Sequence, residues 1–283
     1  MAIKILTDSS SDLPLDYIKA NDIEVLPLKV IFGNQSYDSG VNLSTAEFYE
    51  KLAQATELPK TSQVAPAEIQ ACLEKYAASD DELIAIFISS RMSGTYHTAC
   101  NILEDLKADN IYIVDSQTVT FALAALVMEA VRLRDMGLSA KEIYETLEQV
   151  KNDIALYAVI GDLKYLQMGG RLSTTAAFIG SMLNFKPIIT IKDGLVAVID
   201  KQRGSLRAYK SIMSYVENAG IDLTRPRTFG HTNCPELMNE LIDHFAKAFP
   251  DIDTNTFARC DIGSTVGVHV GPGSAGLAFF RKK

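Results

Sequence analysis

The first half of the chain repeats one pattern three times: a short apolar run, a turn rich in serine and threonine, and a helical segment. The apolar runs cover residues 3–7, 83–88 and 111–114, and the second is apolar throughout, as in strands buried on both faces. Because parallel strands need a crossover connection that is usually a helix, this alternation predicts a parallel sheet flanked by helices. With 47% apolar and 22% charged residues, the composition fits a globular protein and excludes a disordered one.

The pattern changes near residue 150, where closely spaced short strands replace the alternation of strands and helices. Asp193-Gly194 between two β-rich runs is a typical hairpin turn. We therefore expect an α/β protein with an N-terminal parallel-sheet α/β domain at 1–152 and a C-terminal α+β domain with a largely antiparallel sheet at 153–283. In the second half the predicted strands are 156–160, 186–191, 195–199, 227–232, 255–261, 266–270 and 277–280.

Charge and apolar runs exclude several classes of protein. The net charge of −8 argues against a nucleic-acid binder and against a protein held on anionic membranes, since both need a basic face. The longest nearly unbroken apolar run, 121–128, is far shorter than the roughly 20 residues of a spanning helix, so we expect no integral membrane segment. The N-terminus lacks signal-peptide features, which predicts a cytoplasmic protein. Four cysteines without a Cys-x-x-Cys pair favour reduced thiols over a zinc site.

Motifs for nucleotide binding and hydrolysis are absent or incomplete. The sequence contains neither a Gly-x-x-x-x-Gly-Lys phosphate loop nor a Gly-x-Ser-x-Gly nucleophile turn. Gly271, Gly273 and Gly276 match Gly-x-Gly-x-x-Gly, but the chain ends seven residues later, without the helix and acidic residue of a dinucleotide site. His231 and Cys234 are close enough in sequence to form a nucleophile pair, which we keep as a minor hypothesis.

The turns after the predicted parallel strands carry small hydroxyl side chains, and ligands of such sheets bind at the carboxyl ends of the strands. Ser93-Gly94 precedes a predicted helix, whose free N–H groups attract a carboxylate or phosphate. Ordinary helix capping is the alternative for Ser93, and it is the favoured interpretation of Ser116. Asp8 and Asp115 at strand ends either contact a ligand or fix their loops by accepting N–H bonds.

Three further positions could contact an anion. Thr61 and Ser62 stand in a polar loop, where Ser62 or Gln63 could instead order the helix that follows. Arg171 follows two glycines and can pair bidentately with an acidic headgroup, unless it forms a structural salt bridge. His269, set among glycines, either bonds into a turn or contacts a ligand. From these residues alone the sequence predicts an anion site whose chemistry is open.

Seven segments, in order and across essentially the whole chain, resemble the DegV family. They are Thr7-Asp8-Ser9-Ser10-Ser11-Asp12-Leu13, Lys60-Thr61-Ser62-Gln63, Ser89-Ser90-x-Met92-Ser93-Gly94-Thr95-Tyr96, Val114-Asp115-Ser116, Leu163-x-Tyr165-Leu166-x-x-Gly169-Gly170-Arg171, Lys186-Pro187-Ile188 and His269-Val270-Gly271-Pro272-Gly273. The resemblance implies a protein that is not itself an enzyme: it binds a long-chain fatty acid in a buried apolar tunnel, presents the carboxylate to a separate fatty acid kinase subunit and retains the acyl phosphate. It implies no cofactor beyond the bound fatty acid. The matching positions are, for the carboxylate, Thr61, Ser62, Ser93 and Gly94, and, for the headgroup and acyl phosphate, Arg171 and His269.

Two alternatives to this function stay open at this point: an acyl-ester hydrolase that uses Ser93 with His269 as base, and a lipid-sensing regulator without a kinase partner. The chain departs from the family pattern at 121–125, where a glycine-containing turn is expected, and this change could alter the preferred acyl chain. Residues that could line the chain site are Phe121, Leu123, Leu126, Phe178, Ile179, Met182 and Leu183.

Overall fold

The computed structural model describes residues 2–173 and 185–283, which form three sheets covered by helices. The strands are β1 (Ile3–Asp8), β2 (Ile23–Leu26), β3 (Lys29–Phe32), β4 (Gln35–Asp38), β5 (Lys60–Ser62), β6 (Glu82–Phe87), β7 (Ile111–Asp115), β8 (Ile154–Val159), β9 (Lys186–Lys192), β10 (Leu195–Gln202), β11 (Arg227–His231), β12 (Ala258–Asp261) and β13 (Ala275–Phe280). The α-helices are α1 (Leu15–Ala20), α2 (Thr45–Gln54), α3 (Pro66–Ala77), α4 (Thr95–Leu106), α5 (Thr120–Asp135), α6 (Ala140–Val150), α7 (Leu163–Gly169), α8 (Ser205–Ala219), α9 (Pro235–Ala248) and α10 (Ser264–Val270).

A four-stranded parallel sheet carries the first half of the fold, with strand order β2-β1-β6-β7. This confirms the parallel sheet predicted from the alternating pattern. β6 is buried after its first residue, as its continuous apolar run predicts. Since β1, β6 and β7 end at the same edge, the hydroxyl-rich turns that follow them are brought together there.

A small antiparallel sheet with order β4-β3-β5 lies beside the parallel sheet. The chain passes from one sheet to the other at Pro27, between β2 and β3. Proline has no N–H for a ladder hydrogen bond, so Pro27 cannot donate to a neighbouring strand of either sheet. β5 pairs with β3 so that Thr61 lies opposite Val30, and this pairing holds the polar loop at the edge of the sheet.

The second half forms a six-stranded sheet with order β10-β9-β8-β13-β11-β12, in which only β11 and β12 run parallel among the described pairs. The predicted, largely antiparallel sheet is therefore confirmed. The hairpin between β9 and β10 is also confirmed, and Asp193 and Gly194 at its turn both have positive φ, as tight hairpins require.

The predicted strand at 266–270 is wrong, because these residues belong to helix α10. The segment is short, rich in valine and buried from Ser264 to Val268, so its side chains show no polar face that would reveal a helical period. Gly267 packs on α2, where a Cβ would lie 3.0 Å from the Tyr49 hydroxyl oxygen. This close approach explains a glycine inside the helix.

Helix α5 is buried between the two large sheets, with twelve of its sixteen residues buried. It contacts β1 on one side and β8, β11 and β13 on the other, and one core cluster joins Ile5, Leu126 and Phe280. The predicted boundary between residues 152 and 153 falls in a 3-10 turn between the sheets and stays a prediction. No helix in the described ranges is long and apolar enough to cross a membrane.

Candidate functional site

A cavity of about 640 Å³ lies between β5, the turn that precedes α4, and helix α10. Its wall brings together all six residues predicted for the headgroup: Thr61, Ser62, Ser93, Gly94, Arg171 and His269. Apolar side chains line much of the remaining wall, namely Leu28, Val64, Ile88, Met92, Val119, Leu166, Val196, Val266 and Val270. The cavity therefore combines a polar cluster with an apolar surface.

His269 is hydrogen-bonded to Thr61 across two elements of the wall. His269 lies in the last turn of α10, and its Nε2 is 2.8 Å from Thr61 Oγ1. Its Nδ1 is buried without a hydrogen-bond partner among the described residues and lies against Gly169, where a Cβ would collide with the ring. Because buried N–H groups without an acceptor are rarer than unpaired acceptors, we place the hydrogen on Nε2. Thr61 then accepts from His269 and keeps its own hydroxyl hydrogen for another acceptor.

His269 is uncharged near neutral pH. Burial, together with the nearby positive charge of Arg171, lowers the pKa of His269 from 6.5 to about 4. At pH 7 the polar cluster therefore has a charged guanidinium beside a neutral imidazole. An incoming anion would meet one full positive charge there, and it would also raise the pKa of the imidazole.

Arg171 is held by carbonyl oxygens. Its Nη1 donates to the Gly169 carbonyl at 2.7 Å, and its Nε lies 3.3 Å from the Met92 carbonyl oxygen. None of the ion pairs among the described residues includes Arg171. The alternative of a structural salt bridge is therefore not found in this part of the chain, and the guanidinium can pair with an anionic ligand.

Ser93 and Gly94 form the turn into α4. Ser93 Oγ lies 2.9 Å from Thr95 Oγ1 and accepts the Thr95 N–H at 3.3 Å, so Ser93 both lines the cavity and bonds to the first residue of the helix. A Cβ on Gly94 would collide with the carboxamide of Gln63, whose Nε2 donates to Thr98 Oγ1 at 3.0 Å. This contact could not be predicted, because Gln63 and Gly94 are thirty-one positions apart in the chain.

Ser62 and Lys29 lie on paired strands at the cavity wall. Ser62 is exposed, because alternate residues of a strand face opposite sides and its neighbour Thr61 is the half-buried one. Lys29 was not predicted, although a lysine inside an apolar strand was a usable signal. Its Nζ pairs with Asp38 and, at 2.7 Å, with Glu68, so the ammonium already has two anionic partners.

A smaller apolar pocket of about 40 Å³ adjoins the main cavity. Four valines line both spaces: Val119, Val196, Val266 and Val270. Phe121 is part of the smaller pocket, and it packs against Gly230, where a Cβ would collide with its ring. Leu123 and Leu126 belong to the core and are not among the described lining residues of either space. Phe178, Ile179, Met182 and Leu183 lie outside the described residues.

His231 and Cys234 do not form a nucleophile pair. The Nδ1 of His231 accepts the backbone N–H of Cys234 at 3.2 Å, and its Nε2 lies 2.8 Å from Asp261 Oδ1. The Cys234 thiol faces the Ser274 carbonyl at 3.1 Å, and burial raises the pKa of this thiol. A protonated thiol directed at a carbonyl is a poor nucleophile, so this minor hypothesis is wrong.

The aspartates at the strand ends fix loops. Asp8 accepts backbone N–H groups at 2.8 and 3.0 Å, and Asp115 accepts two at 3.0 and 3.1 Å. Ser116 accepts the N–H of Thr118 and does not cap α5, so its favoured interpretation as a helix cap is wrong. The six predicted headgroup residues of the main cavity come instead from β5, the turn before α4, the segment after α7 and helix α10.

Sequence comparison relates the whole chain to known proteins. A model of the DegV family, described as uncharacterised proteins, matches residues 2–282. A DegV domain-containing protein from Caldanaerobacter subterraneus is 38% identical over 283 residues, with 99% of each chain covered. Protein DegV from Bacillus subtilis is 32% identical, with 100% of each chain covered.

Solved structures share the fold at full length. DegV from Bacillus subtilis, described as a fatty acid binding protein, superposes with a TM-score of 0.83 at 30% identity and covers 100% of both chains. A stearic-acid-binding protein from Eubacterium ventriosum gives a TM-score of 0.87 at 26% identity, covering 100% of this chain and 99% of the other. On the family match and these full-length relatives, the chain belongs to the DegV family.

Proposed function

We propose that this protein binds a long-chain fatty acid, with the carboxylate at the polar cluster of the main cavity and the acyl chain along the apolar wall. The observation that carries the proposal is the charge of Arg171, unpaired with any carboxylate in the described residues, beside hydroxyl groups and a large apolar surface. The descriptions of the Bacillus subtilis and Eubacterium ventriosum relatives as fatty-acid-binding proteins support it.

The headgroup roles follow from the hydrogen bonds of the free site. Thr61 accepts from His269 and donates its hydroxyl hydrogen to the carboxylate, and Ser93 donates likewise when it turns from Thr95. Ser62 and the Gly94 backbone lie beside these donors, at the rim and in the turn. Hydrogen bonds to a charged acceptor are each worth about 1.5–3 kcal/mol, so two donors and Arg171 suffice to orient the headgroup.

Burial of the chain supplies the affinity. Each buried methylene contributes about 0.8 kcal/mol, so a chain of about fifteen contributes roughly 12 kcal/mol before the costs of ordering and association. The smaller pocket beyond the four shared valines extends the apolar wall for the end of the chain. A cavity of several hundred Å³ lies in the range of small-molecule sites.

We further propose that the protein presents the carboxylate to a separate, ATP-using fatty acid kinase subunit in the cytoplasm and keeps the acyl phosphate bound. Phosphorylation adds negative charge to the headgroup. Arg171 can pair with this charge, because no carboxylate of the described residues already pairs with its guanidinium. The sequence contains no phosphate-loop motif for binding ATP on its own. A separate kinase subunit would therefore supply the phosphoryl group.

Lipid extraction tests the binding proposal. Denaturing mass spectrometry of the freshly purified protein should reveal a long-chain acyl species, and a fluorescent fatty acid should be displaced by palmitate. The Thr61→Val, Ser93→Ala double variant should bind at least about tenfold more weakly, whereas Arg207→Ala, at an exposed residue of α8, should bind normally. Absence of both a co-purified acyl species and displacement would overturn the proposal.

The hydrolase alternative finds little support in the site. His269, the only base proposed for it, bonds to Thr61, while Ser93 bonds to Thr95. Turnover of a chromogenic ester that disappears in Ser93→Ala would favour that alternative.

Formation of acyl phosphate distinguishes the proposed function from that of a regulator without a kinase. The protein would be incubated with ATP and a bacterial fatty acid kinase subunit, and acyl phosphate would be trapped with hydroxylamine. An acyl hydroxamate should form only if the protein presents its ligand to the kinase.

A further inference from the structure

Two helices beside the cavity, α5 and α10, begin without a side-chain hydrogen bond from their own cap residue. The cap residues are Val119 for α5 and Gly263 for α10, and neither provides a side-chain hydrogen bond. Val119 lines both the main cavity and the smaller pocket, and so does Val266 on α10. Since the first N–H groups of a helix have no partner within the helix, other groups must hold these two ends.

The carboxylate of Asp12 joins the two helix starts. Its Oδ1 accepts the N–H of Gly263 at 2.8 Å, and its Oδ2 accepts the hydroxyl of Thr120, the first residue of α5, at 2.7 Å. Residues far apart in sequence are thereby tied to one group. None of the ion pairs in the described ranges neutralises Asp12, so these two hydrogen bonds are its principal contacts there.

The backbone at the start of α5 is strained. Thr120 has φ +54, a left-handed conformation that is a genuine outlier for a β-branched residue. Such a conformation persists only where the surrounding structure holds it, and the hydrogen bond to Asp12 is suited to do so. The next residue, Phe121, lines the smaller pocket, so the strained turn sets the position of a pocket wall.

We propose that Asp12 is a positioning residue for fatty-acid binding, which fixes the valine walls between the main cavity and the smaller pocket by holding the starts of α5 and α10. This inference rests on the proposed function. Asp12 is not among the described lining residues of either space, so it acts through Thr120, which lines the smaller pocket, and through Val119 and Val266. Its removal should therefore weaken contacts with the far part of the acyl chain more than contacts with the headgroup.

The chain-length dependence of affinity tests this proposal. Delipidated wild type, Asp12→Ala and Asp12→Asn would be compared by displacement of a fluorescent fatty acid with saturated acids of 10 to 18 carbons, below the melting temperature of every variant. Asp12→Ala should lose about tenfold or more for the long acids and less for the short ones. Asp12→Asn should retain most affinity, because its amide oxygen accepts from Gly263 and its amide nitrogen can donate to the Thr120 hydroxyl.

Two further comparisons separate positioning from stability. Leu241→Ala, in the core cluster of the second sheet away from both pockets, should lower the melting temperature without changing the chain-length dependence. Where Asp12→Ala does not fold, Thr120→Val and Thr120→Ser provide the same test, and only the valine variant should lose affinity for long acids. If wild type binds no fatty acid, both proposals fall. If wild type binds and the alanine and valine variants keep its chain-length dependence, this inference alone is overturned.

Discussion

The buried imidazole of His269 should make the fold less stable in mild acid. Its pKa is about 4 in the folded protein, below its usual value of 6.5, because burial and Arg171 oppose its protonation. Between these two values the unfolded chain binds more protons than the folded one, so the free energy of unfolding decreases as the pH falls. The contribution of the neutral imidazole is thus complete above pH 6.5 and is lost as the pH falls through the folded value.

The magnitude follows from the difference in pKa. A difference of about 2.5 units corresponds to roughly 3 kcal/mol at the acid limit, and about 2 kcal/mol is already lost by pH 5. Asp12 acts in the opposite direction, because burial raises its pKa from 3.8 to about 7. Its contribution is complete below 3.8 and is lost as the pH rises through 7. Burial raises the pKa of Asp8 as well, so the pH dependence of the wild type alone mixes opposing effects.

Urea unfolding of paired variants isolates the contribution of His269. The free energy of unfolding would be measured from pH 8 to 5 for wild type and His269→Gln, in which glutamine can still bond to Thr61 but does not titrate. Compared with pH 8, the difference in the free energy of unfolding between wild type and variant should change by about 2 kcal/mol in favour of the variant at pH 5. His97→Gln, at an exposed histidine, is the matched control and should follow the wild type. A difference between wild type and His269→Gln that stays constant over this range would refute the assignment of a buried neutral imidazole.

Three other substitutions test the site. Arg171→Ala should impair formation of acyl phosphate, measured as hydroxamate, more than fatty-acid binding, and equal losses would contradict its headgroup role. Phe121→Ala should enlarge the smaller pocket and shift preference in displacement assays toward longer acids, at a cost of about 3–5 kcal/mol in unfolding free energy; an unchanged preference would show that Phe121 does not limit the chain. Gly94→Ala should lower fatty-acid affinity by displacing Gln63, and adding Gln63→Ala should restore it if that collision is the cause.

The parallel sheet could be predicted because its signal is local. An apolar run such as 83–88, a hydroxyl-rich turn and a helix are each recognised within about ten residues. Because parallel strands need crossover connections, their alternation then predicts the parallel sheet. Helix α10 could not be predicted in this way. Its burial from Ser264 to Val268 leaves no polar face, so neither a helical nor a strand period is visible.

The headgroup residues were predicted from small hydroxyl side chains, glycines and a resemblance, and the structure brings all six to one cavity. The partners of these residues could not be predicted. Thr61 is hydrogen-bonded to His269, 208 positions away in the sequence, and Gly94 packs against the side chain of Gln63. These contacts form because β5, α4 and α10 come together only in the folded chain. The sequence predicts the same carboxylate role for Ser62 as for Thr61, but Ser62 is exposed because alternate residues of a strand face opposite sides.

The sequence by itself determined the class of fold, the order of its two large sheets along the chain and the segments that carry the polar groups, since these depend on short-range periodicity and on turn chemistry. Only the tertiary structure decided the electrostatic state of the site. The neutral His269, the carbonyl contacts that hold Arg171 and the bridging Asp12 all depend on burial and on contacts formed by the folded chain. Desolvation is a property of the packed interior, and no stretch of sequence specifies it alone.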